Sequence, residues 1–135
     1  MTTILLTSKE RSIFKELAAQ FSDNQIISEW VGSAQEAISE LTDKKFDLFI
    51  VSEDLPDMTG RQLIEEALFK NAMMNSVVLS QLPHDKFHET YEGLGVLMQL
   101  SLNPEKQDAQ NILDYLNRIE QIQQQMGTIK GESNR

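Results

Sequence analysis

Residues 46–60 read Phe46-Asp47-Leu48-Phe49-Ile50-Val51-Ser52-Glu53-Asp54-Leu55-Pro56-Asp57-Met58-Thr59-Gly60. An apolar run broken only by Asp47 ends at Ser52, and a turn rich in Asp, Pro and Gly follows. Amphipathic helical patterns lie on both sides. Such a run predicts a strand buried on both faces at the centre of a parallel sheet. In open α/β sheets the chemistry sits in the crevice beyond the carboxyl ends of the strands, so the first position to inspect is Ser52.

Outward from this stretch, strand and helix signals alternate. Thr3 to Leu6 is a short apolar strand, and Thr7-x-x-Glu10 has the spacing of a capping box that would open the first helix. Ile13, Phe14, Leu17, Ala18 and Phe21 follow at helical spacing. Ser22-Asp23-Asn24 is a turn, Gln25 to Val31 a second strand, and Ser33-x-x-Glu36 a second capping box, followed by the stripe Ala34, Ala37, Ile38 and Leu41.

Beyond Gly60, the residues Leu63, Ile64, Ala67 and Leu68 give a third helix ending near Lys70-Asn71, where a cation suits the helix dipole. Ser76 to Ser80 is the fourth strand. Pro83 opens a short helix bearing Phe87, Tyr91 and Leu94, which Gly93 and Gly95 break, and Val96 to Leu102 is the fifth strand. A last helix runs from about Glu105 to Met126, and Gly127 to Arg135 is expected to be a polar, mobile tail. Five strands alternating with five helices predict one α/β domain, a doubly wound parallel sheet between two helical layers.

Composition narrows the function. A chain of 135 residues with 40% hydrophobic side chains has the length of one domain with its own core. No apolar run approaches the roughly 20 residues of a membrane span, and the beginning lacks the flanks of a signal peptide, which points to a soluble cytoplasmic protein without a membrane partner. There is no cysteine, so disulfides, thiolate nucleophiles and thiolate metal sites are excluded. The formal charge of −9, from 12 basic and 21 acidic side chains, argues against a nucleic-acid partner, because phosphate contacts need clustered Lys and Arg.

The stretch 46–60 resembles the third strand and following loop of bacterial response-regulator receiver domains of the CheY-like kind, in which a phosphate-accepting aspartate ends the strand and a Leu/Met-Pro-x-Met-x-Gly loop follows. Leu55-Pro56-Asp57-Met58-Thr59-Gly60 matches that loop. The resemblance covers roughly Thr3 to Gln123. It implies a (βα)5 flavodoxin-like three-layer sandwich with a five-stranded parallel sheet, a receiver-like domain over residues 1–124 and a tail over 125–135.

The same resemblance locates a pocket. Phosphoryl transfer to a receiver needs a carboxylate to attack phosphorus, oxygen ligands for Mg²⁺, and a lysine for the phosphoryl oxygens. Carried over position by position, the acid pair after the first strand falls on Ser8 and Lys9, the acceptor aspartate on Ser52, and the lysine on Asn103, with Pro104 retained; the hydroxyl ending the fourth strand survives as Ser80, and the strand-five aromatic becomes Leu100. Three carboxylates and a lysine sum to −2, whereas Ser8, Lys9, Ser52 and Asn103 sum to +1, a sign that repels Mg²⁺.

The expected protein is therefore a non-enzymatic, phosphorylation-independent receiver domain, a pseudo-receiver without catalytic residues, metal or cofactor, that works by binding protein partners in signal transduction. Two readings of Lys9 stand side by side: it replaces the metal, reaching Glu53, Asp54 or the hydroxyls of Ser8, Ser52 and Ser80, or it is solvated on the first turn of the first helix. The same net positive pocket offers an alternative, a weak anion site. The resemblance implies partner faces on the loops around Ser52 and on Tyr91, Met98, Leu100, Tyr115 and Ile119, and the end of the last helix, Ile119 to Met126, is read either as the seam of a homodimer through the fourth and fifth helices or as the frayed end of a single core-facing stripe. A small-ligand binder on a flavodoxin-like scaffold and a purely structural oligomerisation module are the rival classes; against the first, Thr7-Ser8-Lys9-Glu10 contains no glycine with which to cradle a phosphate. His84 and His88, four apart, share a helical face but lack further ligands in the sequence, so they read as exposed histidines.

Overall fold

Leu48, Phe49, Ile50 and Val51 are all fully buried, and alternate side chains of this strand enter two different cores. Leu48 and Ile50 join one hydrophobic cluster, Phe49 and Val51 the other. That two-sided burial explains why the run is apolar without alternation. In the computed structural model, which describes residues 2–133 and the side chains of residues 2–122, the strands are β1 Thr3–Thr7, β2 Ile27–Val31, β3 Leu48–Ser52, β4 Ser76–Leu79 and β5 Val96–Leu100, and the helices are α1 Lys15–Asp23, α2 Ala34–Asp43, α3 Gly60–Lys70, α4 His84–Tyr91 and α5 Lys106–Ser133.

All pairings are parallel, in the order β2-β1-β3-β4-β5. One core lies under α2, α3 and α4 and is built from Leu5, Phe49, Val51 and Val78 with Ala34, Ala37, Leu63, Ile64, Ala67 and Phe87. The other lies under α1 and α5, where Ile4, Leu6, Ile50, Val77 and Leu79 meet Phe14, Leu17, Phe21, Ala109, Ile112 and Leu113. The doubly wound, flavodoxin-like sandwich follows.

Several local expectations are corrected. No Thr7–Glu10 capping box forms: β1 continues through Thr7, which pairs with Val31 and Val51, and its buried Oγ1 finds no partner among the described residues. The chain enters α1 through a 3-10 turn over Arg11–Phe14, with Glu10 ahead of it making no side-chain cap. At α2, Ser33 Oγ accepts from the Glu36 N–H at 3.2 Å, but the Glu36 carboxylate reaches the N–H of Gly32 instead of closing the box on Ser33. Gly93 and Gly95 follow α4 with φ of 78° and 69°, left-handed values that suit glycine and end the helix. β5 stops at Leu100, and α5 runs on beyond Met126 to Ser133. The side chains beyond Ile122, that of Met126 among them, and residues 134–135 of the expected tail lie outside what the structure describes.

Candidate functional site

The register Thr7↔Val51 and Ser52↔Leu79 aligns the carboxyl ends of β1, β3 and β4. Ser8, Ser52 and Ser80 therefore stand at successive strand ends, and all three are buried, at 1%, 7% and 4% exposure. This crevice lies where the sheet order reverses between β1 and β3, the position at which such sheets carry their sites.

Two of the three hydroxyls are committed to local structure. Ser8 Oγ donates to the Glu10 carbonyl at 2.6 Å and accepts from the indole N–H of Trp30 at 3.1 Å. Ser80 Oγ accepts from the Leu82 N–H at 3.0 Å, while the Gln99 amide donates to the carbonyls of Ser80 (3.1 Å) and Leu82 (2.8 Å), fixing the segment that leads into α4. Lys9 turns to Asp54, its Nζ lying 3.2 Å from both carboxylate oxygens. This pair is open to solvent, and an exposed pair contributes little to stability; its consequence is that the ammonium and the nearest free acid neutralise each other. Asn103, by contrast, is exposed beyond β5, its carbonyl accepting from Ser101 Oγ at 3.3 Å, with the buried Pro104 behind it.

Glu53 does not meet Lys9. Its carboxylate accepts a 2.6 Å bond from the Tyr91 hydroxyl. Burial and this acidic neighbour push the phenol well above its ordinary range, so it stays protonated and donating. Tyr91 and Leu100, expected on the partner surface, are accordingly inside, at 4% and 3% exposure. Phe87 and Tyr91, one turn apart, form the inward stripe of α4, and Leu100 packs in the α1/α5 core. Met98, Tyr115 and Ile119 are half-buried.

The loop 53–60 holds two features that sequence reasoning missed. Asp57 accepts from the N–H groups of Ala34 and Gln35, each at 2.9 Å, capping α2 from a distance of more than twenty residues. Thr59 caps α3 with a complete capping box, Thr59 Oγ1 accepting from the Gln62 N–H and Gln62 Oε1 from the Thr59 N–H. The Thr59-x-x-Gln62 spacing signalled the second; nothing local signals the first. The two backbone bonds hold the Asp57 carboxyl below the usual carboxylate range. A depressed folded-state pKa contributes stability above the unfolded pKa that is lost as pH falls through the folded one. Asp57→Asn should therefore lower the melting temperature at about pH 7, with the gap to the parent closing towards about pH 3; a gap independent of pH in thermal melts would contradict the role assigned to Asp57.

His84 and His88 are exposed, their Nε2 atoms 3.2 Å apart. Among the described residues no three His, Cys, Asp or Glu side chains converge on one point.

No family model matches the sequence, and no curated protein matches it. Among solved structures the chain is similar to the chemotaxis response regulator CheY4 of Vibrio cholerae (16% identity, TM-score 0.76, covering 85% of this chain and 98% of that one). It is similar too to the signal receiver domain of an HD domain-containing protein from Pseudomonas fluorescens (22%, TM-score 0.74, covering 93% and 90%). A two-component response regulator from Clostridium difficile gives 17% identity and a TM-score of 0.77, covering 87% and 97%. The structural neighbours are thus receiver domains of the CheY-like kind, and at these identities the likeness speaks for the fold. The Mg²⁺ that this fold implies does not fit the strand ends here, where two hydroxyls are bonded locally, Glu53 is bound by Tyr91 and Asp54 by Lys9. Among the described residues, no helix is long and apolar enough to cross a membrane.

Proposed function

We propose that the chain is a non-enzymatic, receiver-like signalling module that works without phosphorylation and acts through protein contacts. The observation that carries this reading is the set of groups at the strand ends: Ser8 bonded to Trp30 and Glu10, Lys9 paired with Asp54, and a serine closing β3. A serine hydroxyl needs an adjacent base to attack phosphorus. The near carboxylate, Glu53, is already bound by a phenol that keeps its proton. Support for the contact role comes from Phe69 and Met73, 90% and 84% exposed at the far end of α3, and from the half-buried Met98, Tyr115 and Ile119. Self-association through α4 and α5 belongs to the same proposal.

The test is direct. Incubation of the full chain with acetyl phosphate and Mg²⁺ should leave its intact mass unchanged, while a receiver with an acceptor aspartate, treated alongside, gains a phosphoryl group. A phosphoryl adduct on this chain would overturn the proposal.

A further inference from the structure

The chain is strongly acidic, yet one groove is not. Between the Arg11–Lys15 segment, α1 and β2 lies a cavity of about 410 Å³ whose wall is Leu6, Phe14, Ala18 and Trp30 and whose charged lining is Arg11 and Lys15, with no acidic side chain. The volume falls in the range of small-molecule sites, which are mostly apolar with a few placed polar groups. The Arg11 guanidinium carbon sits 5.9 Å from the centre of the Trp30 ring, within cation–π reach. Neither Arg11 nor Lys15 takes part in an ion pair among the described residues. Two cations without an acidic partner among the described residues, one of them already over the indole, match one ligand chemistry beside an aromatic wall, a flat ring carrying a negative group. Arginine favours a carboxylate, which it grips with two parallel bonds.

We propose that this groove binds a small aromatic carboxylate, its ring against Trp30 and its carboxylate on Arg11 and Lys15, and that occupancy is relayed to the β1–α1 loop through the hydrogen bond from Trp30 to Ser8. The site is separate from the phosphorylation question. It gives the fold an input that needs no acceptor aspartate, because the indole that walls the groove also holds the hydroxyl next to Lys9.

Trp30 is the single tryptophan of the chain, so its indole N–H gives one side-chain signal in a ¹H–¹⁵N spectrum of the full protein. The probe is naphthoate, with naphthamide as its neutral isostere and inorganic phosphate as a bare anion. Naphthoate is expected to move the indole signal saturably, with the backbone amides of Ser8 and Lys9 following at the same midpoint. Naphthamide should bind roughly tenfold more weakly or worse, as should naphthoate on the Arg11→Ala, Lys15→Ala double variant; both side chains are exposed, so the fold is retained. No saturable movement, equal binding of naphthamide, an unaffected double variant, or an equal response to phosphate would overturn the site. Naphthoate binding that leaves Ser8 and Lys9 in place would overturn the relay.

Discussion

Gly60→Val is expected to destabilise the protein by about 3 kcal/mol, the upper end of the usual cost of overpacking. A Cβ at this position would lie 2.9 Å from both the Glu53 Cα and the Ser52 carbonyl oxygen. These are backbone atoms of the strand end and its loop, so no side chain can rotate away to make room. The opposing gain is smaller: replacing glycine in a helix interior recovers at most about 1 kcal/mol, and Gly60 stands at the first position of α3, directly after its Thr59 cap. The clash decides the sign. Gly60 N–H also donates to the Glu53 carbonyl at 3.0 Å, and Asp54 and Thr59 form a bridge across the same loop. A displaced Gly60 thus disturbs the segment that presents Asp54 to Lys9 and Asp57 to α2. Urea denaturation should show a lower midpoint at unchanged slope; a midpoint equal to the parent's would mean that the loop shifts freely, and the close approach of α3 to β3 would lose its assigned role.

In the sequence Gly60 stands out only as the end of the Leu55–Gly60 loop that carries the receiver resemblance, whereas its reason is a distance between elements. The same division holds elsewhere. The apolar run at residues 48–51 and the helical stripes around Leu17, Ala37 and Leu63 declare themselves because burial repeats with a local period. What failed depended on partners far along the chain. Thr7 looks like a helix cap, but pairing with Val31 and Val51 draws it into β1. Leu100, set on the partner surface by the family resemblance, is buried because both faces of β5 pack against a core. The pairing of β4 with β5 slips between Ser76 and Val77, whose partners are Val96 and Met98. The extra residue reverses the alternation, so that Val96 packs in one core while Met98 and Leu100 turn into the other. Within the pocket, the residue types at Ser8, Ser52 and Ser80 were legible, but their engagements were not. The bonds from Trp30 to Ser8, from Tyr91 to Glu53 and from Ala34 and Gln35 to Asp57 join residues more than twenty positions apart, and neither residue spacing nor composition encodes them.

Two phenylalanines, each preceded by a leucine, should respond very differently to the same truncation. Phe49 is fully buried on the central strand, within the core under α2, α3 and α4. Phe49→Ala removes the ring and leaves a cavity that the sheet cannot close, at a cost of about 3–5 kcal/mol. Domains of this kind have a total stability of roughly 5–15 kcal/mol, so the variant should lose a large share of it and unfold at a clearly lower denaturant concentration than the parent. Phe69, near the end of α3, is 90% exposed. Phe69→Ala should change stability by no more than about 0.5 kcal/mol, and alanine's better helix propensity favours a small gain. Denaturant melts of the two variants check both values, and a Phe69→Ala loss comparable to that of Phe49→Ala would show that Phe69 packs against the fold. Met73, just beyond α3, is 84% exposed as well, so neither apolar side chain is required by folding. If the protein works by contact, the Phe69→Ala, Met73→Ala double variant should keep the melting curve of the parent and lose affinity for the partner. Retained affinity would move the contact to the half-buried side chains of β5 and α5.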